Sequence, residues 1–574
     1  SFGALSLIAT LFPGPVASRW EYLAAVLAGA VFLFLVTVHD RVLKALERSR
    51  GLAEIQREGL ARLERRWGDL PLALRDRRAP PEEPAPAFAQ DLDLFGRASL
   101  AQLLGSVATP AGATVLDQWL LEPASPEEVT RRQEAVEELA GEVEFRQNLE
   151  LLGRLKGAES HRLEAFLDWA EGEPWWLGRP WGRPLIWALT VVTPVLGVLA
   201  GSGAFPFRWF LLLLVGNLAL SYRFASRIYG VFAQVSERER PFARYARVFE
   251  HLSSASWTAL RLQRLTEALE ATGATASSEI ERLHRIVERS DLRFSSLHFL
   301  VQAVTLWDFH VLAALETWQR RAGGRVRGWF EALGEWEAAS ALATLAHDHP
   351  SWTWPRVDPE AESLRGVGLG HPLLPPDRCV ANDVEVGPPG TFLLVTGSNM
   401  SGKSTLLRAL GLNSVLAQAG GPVCASSLVL PPLRLGTSIR VEDSLEQGTS
   451  FFLAELKRLK AVVDAADGPG PRLLYLLDEI LRGTNSAERR VAVQRVVEHL
   501  VEVGALGAVS THDLELAELP ELAAAVHPVH FRETLHSGEG EAPMTFDYRL
   551  REGVATTRNA LKLLELMGLD FRPD

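Results

Sequence analysis

Residues 391–416 read TFLLVTGSNMSGKSTLLRALGLNSVL. A short apolar run, FLLVT, is followed by the loop GSNMSGKS at 397–404 and then by a stretch with helical spacing, STLLRALGLNSVL. The pattern is G-x-x-x-x-G-K-S between a strand and a helix. Gly397 and Gly402 let the loop turn back, so that its backbone N–H groups face one point. The helix behind the loop presents its positive N-terminal end to the same point. The stretch therefore predicts a cradle for the phosphates of a nucleotide. Its expected binding residues are Gly397, Ser398, Asn399, Met400, Ser401, Gly402, Lys403, Ser404 and Thr405. Lys403 is expected to reach the β and γ phosphates, and Ser404 to ligate Mg²⁺.

Two further apolar runs end in polar side chains of the matching chemistry. LLYLLDE (473–479) suits a buried strand whose tip carries two carboxylates. Asp478 is expected to hold the Mg²⁺ shell, and Glu479 to orient and polarise an attacking water. ALGAVSTHD (505–513) suits another strand and places His512 where it would sense a γ-phosphate. Strand candidates alternating with helices beyond Pro359 predict an α/β domain with a parallel sheet.

The rest of the chain has a different character. Its 574 residues suggest three or four domains, and 47% apolar with 23% charged residues is globular composition. A net charge of −12 disfavours a protein that coats nucleic acid non-specifically. Two cysteines, Cys379 and Cys424, are too few for a disulfide framework or a cysteine zinc site. Ser1 rather than Met opens the sequence, so the natural start is expected to lie upstream.

Three uncharged runs stand out: 23–38, the stretch between Arg183 and Arg208, and 209–222. With aromatic flanks each approaches the roughly 20 apolar residues that span a bilayer. Residues 2–12 resemble the end of another span. From Arg41 to Arg78 there are eleven basic and six acidic residues, and from Arg223 to Arg247 six basic and two acidic. The turn between the last two runs offers only Arg208. This asymmetry predicts two membrane hairpins with both long soluble segments on the cytoplasmic face of a bacterial-type inner membrane. Residues 41–67 read as an amphipathic juxtamembrane helix, 79–88 as a proline-rich linker, and 242–349, which contain no proline, as a long helical arm or bundle.

TGSNMSGKSTLLR (396–408) resembles the phosphate loop of the MutS family of DNA-repair ATPases. The likeness extends to LAQAGGPVCA (416–425), to SIRVEDSLEQGTSFFLAEL (438–456), to DEILRGTNSAER (478–489) and to STHDLEL (510–516). GHPLL (370–374) with Asn382 and Asp383 resembles the pair of motifs ahead of the family's ATPase sheet. DLDLFGRASL (91–100), TPAGATVLDQWLLEP (109–123), RRQEAVEEL (131–139) and EWEAASALATLA (335–346) resemble its helical core.

The resemblance, taken with the apolar runs and their flanking arginines, which alone predict the hairpins, implies a multi-domain protein. Membrane hairpins and an all-α core and lever domain precede an α/β P-loop ATPase domain of the ABC type. The divisions expected are 1–40 (hairpin), 41–90 (juxtamembrane helix and linker), 91–183 (first part of the core), 184–222 (second hairpin), 223–354 (lever and second part of the core) and 355–574 (ATPase). It further implies ATP and Mg²⁺ as cofactors and a homodimer formed through the ATPase domains. In such a dimer Ser450 of one subunit would act in trans on the nucleotide of the other, with Lys403, Glu479 and His512 as the catalytic groups in cis. The family's mismatch-recognition domain is expected to be missing ahead of residue 91, where a membrane hairpin, a helix and a linker are expected instead. Its Phe-x-Glu occurs only as Phe531-Arg532-Glu533, which reads as an ordinary strand triplet. Two functions follow. One is a membrane-anchored, DNA-binding ATPase related to mismatch repair. The other is a mechanotransducing ATPase whose client is a membrane or periplasmic protein. An ABC-type transporter fits less well, because an LSGGQ signature is missing and the spans are few and apolar.

Overall fold

The computed structural model describes residues 19–74, 76, 85–154, 160–235, 241–270, 274–440, 451–481, 486–512, 519–535 and 544–554. It divides into residues 1–60 and residues 61–574. The first unit contains most of α1 (Arg19–Leu63), a helix of 45 residues. Its residues Phe32, Leu33 and Phe34 are more than half exposed, so this apolar stretch has no protein core of its own. The helix runs unbroken across the expected boundary at residues 40 and 41. The other half of the expected first hairpin, before residue 19, lies outside the described residues.

The second unit starts with short helices: α2 (Ala87–Asp91), α3 (Leu100–Leu104), α4 (Pro110–Leu121), α5 (Pro126–Gly141), α6 (Val143–Gly153) and α7 (Ser160–Glu171). Two long apolar helices follow, α8 (Gly182–Gly201) and α9 (Phe207–Val235), joined by a five-residue turn. A Cβ at Gly197 would stand 3.0 Å from the Phe210 ring, so the glycine lets the two helices pack closely beside that turn. Three helices of the described residues are long and apolar enough to cross a membrane: Val26–Leu63, Gly182–Gly201 and Phe207–Val235.

The chain continues through α10 (Pro241–Leu252), α11 (Leu260–Glu270), α12 (Ala276–Ser290) and α13 (His298–Thr305). Leu306 then takes a left-handed conformation, φ 52°, and the chain turns by 75° into α14 (Trp307–Asp348). At 1.5 Å per residue, the 42 residues of α14 extend roughly 63 Å. The sequence predicts helix here but not this break. The break is capped by Gln302 Oε1, which accepts from the Asp308 N–H at 2.9 Å.

Helix α14 is the spine of the helical part. Trp318, Trp329 and Trp336 are buried along it. Helix α4 lies against it at two glycines: a Cβ at Gly334 would meet Ala111 O at 2.8 Å, and one at Gly112 would overlap the Glu337 side chain. Thr109 caps α4 by accepting from Gly112 N at 3.2 Å, and its hydroxyl donates to Glu337 at 2.6 Å. Burial pushes the Glu337 carboxyl up to about 7, against the hydrogen bonds from Thr109 that favour its ionised form.

The C-terminal part contains two sheets among the described residues. The smaller has the order β1 (Arg356–Val357), β5 (Ser427–Leu430), β2 (Leu364–Leu369), β3 (Asn382–Val386). The larger has the order β10 (Met544–Glu552), β9 (Val526–Leu535), β4 (Phe392–Thr396), β8 (Leu506–Ser510), β7 (Arg472–Asp478), β6 (Leu433–Ser438). Its strands are parallel except β10, which pairs antiparallel with β9. β4 and β8 are buried at every position, as near-continuous apolar runs in a covered parallel sheet should be. Helices α15 (Lys403–Ala419), α16 (Phe451–Asp467) and α17 (Ser486–Glu502) complete this part.

Asp91 joins the helical part to the larger sheet. Its fully buried carboxylate accepts from Thr437 Oγ1 at 2.6 Å, from the Ile439 and Arg440 N–H groups at 3.1 and 3.0 Å, and from Arg458 at 2.7 Å. Asp93 adds ion pairs with Arg408, at 3.1 Å, and with Arg440.

Candidate functional site

β4 is central in the larger sheet, between β8 and β9, so its C-terminal end opens beside the ends of both. The chain leaves it through Gly397 at φ 143°, passes Met400 at φ 68° and enters α15 through Gly402 at φ 113°. These positive φ values explain two glycines of the motif. A Cβ at Gly397 would also meet Ser401 Oγ at 2.8 Å. α15 starts with no side-chain cap, which leaves its first N–H groups for an anion. Ser401 Oγ is buried in the loop and has no hydrogen-bond partner among the described residues.

Lys403 is only 4% exposed. Its ammonium donates to Gly397 O at 2.9 Å and Ser398 O at 3.0 Å, and lies 3.4 Å from Glu479 Oε1. Ser404 Oγ donates to Asp478 Oδ2 at 2.5 Å, and Ser510 Oγ donates to the other oxygen of the same carboxylate. A hydroxyl and a carboxylate in contact are hard oxygen donors of the kind Mg²⁺ takes. Glu479 follows at φ 46°. His512 Nε2 stands 2.6 Å from Glu479 Oε1 and 2.7 Å from Asn399 Oδ1. Three strand ends thus bring the loop, the acidic pair and the histidine into one cluster. Ser450 lies outside the described residues.

A cavity of about 690 Å³ opens from this cluster. One wall is the loop, from Asn399 to Thr405. The other comes from the segment between β2 and β3, through His371 and Cys379, and from Asn382 at the start of β3. The volume lies within the range of small-molecule and cofactor pockets, a few hundred to about 1,000 Å³. An uncapped helix end, a buried lysine and an unpartnered Ser401 hydroxyl fit the phosphates of a nucleotide there.

Sequence reading missed several participants. Ser510 precedes the histidine it signals, but nothing local shows that it bonds to Asp478. Asn382 bridges the sheets, donating to Tyr548 O at 3.0 Å and accepting from Leu550 N at 2.7 Å. The Phe531-Arg532-Glu533 triplet does lie in a strand, β9, but Glu533 also accepts from Ser398 Oγ at 3.0 Å, so it supports the loop. The two cysteines meet beside Gly370, whose Cβ would stand 2.7 Å from Cys379 Sγ and 2.8 Å from Cys424 Sγ. Cys424 as donor, with the His371 N–H at 3.3 Å, pulls the Cys379 thiol down to about 6. Burial pushes the neighbouring His371 down to about 4.

The family model for MutS domain V matches residues 393–571. The DNA mismatch repair protein MutS of Natronomonas pharaonis is 31% identical over 249 residues, 43% of this chain and 28% of that protein. The DNA mismatch repair protein MutS of Shouchella clausii is 31% identical over 243 residues, 41% of this chain and 27% of that protein. The chain thus spans little more than a quarter of the length of these curated relatives. The match begins inside β4 and takes in the loop, the acidic pair and the histidine. Over this C-terminal part, the chain is similar to MutS domain V and to these two MutS proteins.

Proposed function

We propose that this protein is a membrane-anchored, MutS-like ATPase that turns ATP binding and hydrolysis in a dimer into movement of its helical arm. One observation carries the reading. The loop at 397–404, Asp478, Glu479 and His512 meet at the ends of three adjacent parallel strands, with Glu479 within 3.4 Å of Lys403 and 2.6 Å of His512.

Residues 397–405 would hold the phosphates through backbone N–H groups and the Lys403 ammonium. Ser404 and Asp478 would hold Mg²⁺, whose charge offsets the negative charge of the phosphates. Glu479 Oε1, oriented by His512, would take a proton from the attacking water. Ser450 would complete the site from the second subunit. The domain divisions given above, with the hairpins in an inner membrane and the remainder cytoplasmic, belong to the same proposal.

Glu479→Gln tests it. The variant should retain ATP and trap the closed dimer, while hydrolysis falls by roughly 10²- to 10⁴-fold. A variant that no longer binds ATP would assign Glu479 a structural role instead.

Mismatch-repair relatives favour DNA as the object on which the arm acts. A membrane or periplasmic protein client is the second reading, and one feature of the fold favours it. The start of α14 is built into the apolar hairpin. Glu316 accepts from the Trp176 N–H at 2.7 Å and the Leu177 N–H at 2.6 Å, just ahead of α8. Asn217 of α9 donates to Thr193 of α8 at 3.0 Å and to Ala303 O, just before the break, at 2.9 Å. The far end of α14 leads into the smaller sheet. A displacement at the nucleotide would therefore be delivered to the hairpin. Salt-dependent DNA binding by the detergent-solubilised protein supports the first reading, and its absence supports the second.

A further inference from the structure

A second cavity, of about 620 Å³, lies where α8, α12 and α14 meet. Arg183 and Trp187 come from the first turns of α8. Arg282, Arg285 and Arg289 come from α12, where spacings of three and four put them on one helix face. Thr317 of α14 adds a hydroxyl. No carboxylate lines this cavity. Among the described residues, none of the four arginine side chains makes an ion pair or hydrogen bond. Two acids of α12 are engaged elsewhere: Glu279 with Arg321 at 2.8 Å, and Glu288 with His284 at 3.5 Å.

Four guanidinium groups lining one cavity that no carboxylate lines repel one another. Such an arrangement is relieved by a polyvalent anion, and Arg matches phosphate geometry bidentately. The surroundings fix where that anion comes from. α13 is tied to the apolar hairpin by Asn217 Nδ2 to Ala303 O and by Thr190 Oγ1 to Thr305 O, both at 2.9 Å. On its other side it exposes Phe299 and Leu300, 68% and 63% accessible, next to Phe294 and Leu297, at 66% and 61%. Four large apolar side chains in one exposed cluster, beside helices long enough to cross a bilayer, suit the acyl region of a leaflet. The arginine cavity sits at the Arg183 end of α8, beside Trp187, a residue of the interfacial type.

We propose that this cavity holds the phosphate headgroup of an anionic phospholipid, with charge enough for a lipid carrying two phosphates. The proposal rests on the reading of α8 and α9 as a membrane hairpin. A nucleic-acid duplex would compete with the bilayer for the same space, and the cavity is headgroup-sized. Basic pockets between membrane helices on the cytoplasmic side recognise lipids of this kind.

The test uses the full-length protein, purified in detergent and titrated with fluorescent cardiolipin, with phosphatidylcholine as the neutral control. Wild type should bind cardiolipin saturably and leave phosphatidylcholine unbound. Each arginine near an anionic surface strengthens attraction roughly five-fold. The triple variant Arg282→Gln, Arg285→Gln, Arg289→Gln should therefore weaken binding on the order of a hundredfold, with an unchanged thermal midpoint. Arg223→Gln, on α9 outside the cavity, should change it little. Equal binding by the triple variant and wild type would overturn the proposal, as would an Arg223→Gln loss of the same size per charge. Displacement of the lipid by low-millimolar inorganic phosphate would identify a free-anion site and overturn it too. Carbonate extraction separates the two levels. Protein recovered folded in the soluble fraction sinks the hairpin itself, whereas retention in the membrane pellet without cardiolipin selectivity sinks only the lipid site.

Discussion

The two cavities are close in volume, about 690 and 620 Å³, and both are lined by cations, yet they are built on opposite principles. At the cavity beside the phosphate loop, Lys403, Asp478 and Glu479 already have protein partners. Lys403 lies on two carbonyls and near Glu479, while Asp478 accepts from two serines. At the hairpin cavity the arginines are exposed and unpaired among the described residues. A buried charge without a partner costs several kcal/mol, so a site deep in a sheet must be satisfied in advance. A cavity at the surface tolerates unpaired charge because solvent or a headgroup screens it. The first site is therefore preorganised for chemistry, and the second for attraction.

The largest effect belongs to the preorganised site. Lys403→Ala should abolish nucleotide binding or cut hydrolysis by roughly 10²- to 10³-fold, because it removes the charge aimed at the phosphates. Nucleotide binding and phosphate release by the purified variant measure this, and hydrolysis at the wild-type rate would remove the loop from the mechanism.

Next comes the joint between the helical part and the larger sheet. Asp91→Ala leaves Arg458, Thr437 and two N–H groups without their shared acceptor. It should cost about 3–5 kcal/mol, read as a fall in thermal midpoint, with Asp91→Asn retaining part of the loss. An unchanged midpoint would show that Asp91 does not hold the two parts together.

A smaller effect depends on pH. Glu337 titrates at about 7 in the folded state against 4.5 for the unperturbed group. Between those values the folded protein keeps a proton that the unfolded chain has lost. Stability from this group is therefore greatest below about pH 4.5 and falls as pH rises towards 7, by up to about 3 kcal/mol. Glu337→Gln should flatten that decline, so its thermal midpoint relative to wild type should rise from pH 5.5 to pH 8. A constant difference across that range would contradict the shift.

The same contrast separates what the sequence discloses from what it conceals. The loop at 397–404 is legible because its glycines answer a local demand: φ values of 143° and 113° that other residues rarely take. β4, β7 and β8 are legible because strands buried on both faces must be apolar throughout. The smaller sheet is not legible, since β2 (LRGVGL) and β3 (NDVEV) are short, and β2 needs β5, some 60 residues on, as its second partner. Ser510 and Glu533 are likewise silent until the sheet brings them to Asp478 and Ser398. The spacing of Arg282, Arg285 and Arg289 is visible in the sequence as one helix face. Their meaning needs Arg183, about a hundred residues earlier, and only the packing of α8 on α14 supplies it. The break at Leu306 is hidden because no glycine or proline marks its left-handed turn, and its cap, Gln302, reads as an ordinary helical residue.

Both cavities belong to one account only if the hairpin crosses the membrane and the ATPase part stays on the cytoplasmic side. The turn at 202–206 decides this most directly. Ser202→Cys, in the exposed turn between α8 and α9, should react with a membrane-impermeant thiol reagent in intact cells, while native Cys379 and Cys424 should react only after permeabilisation. Labelling of all three only after permeabilisation, with the protein recovered in the soluble fraction, would contradict the account and return α8 and α9 to the interior of a helical core.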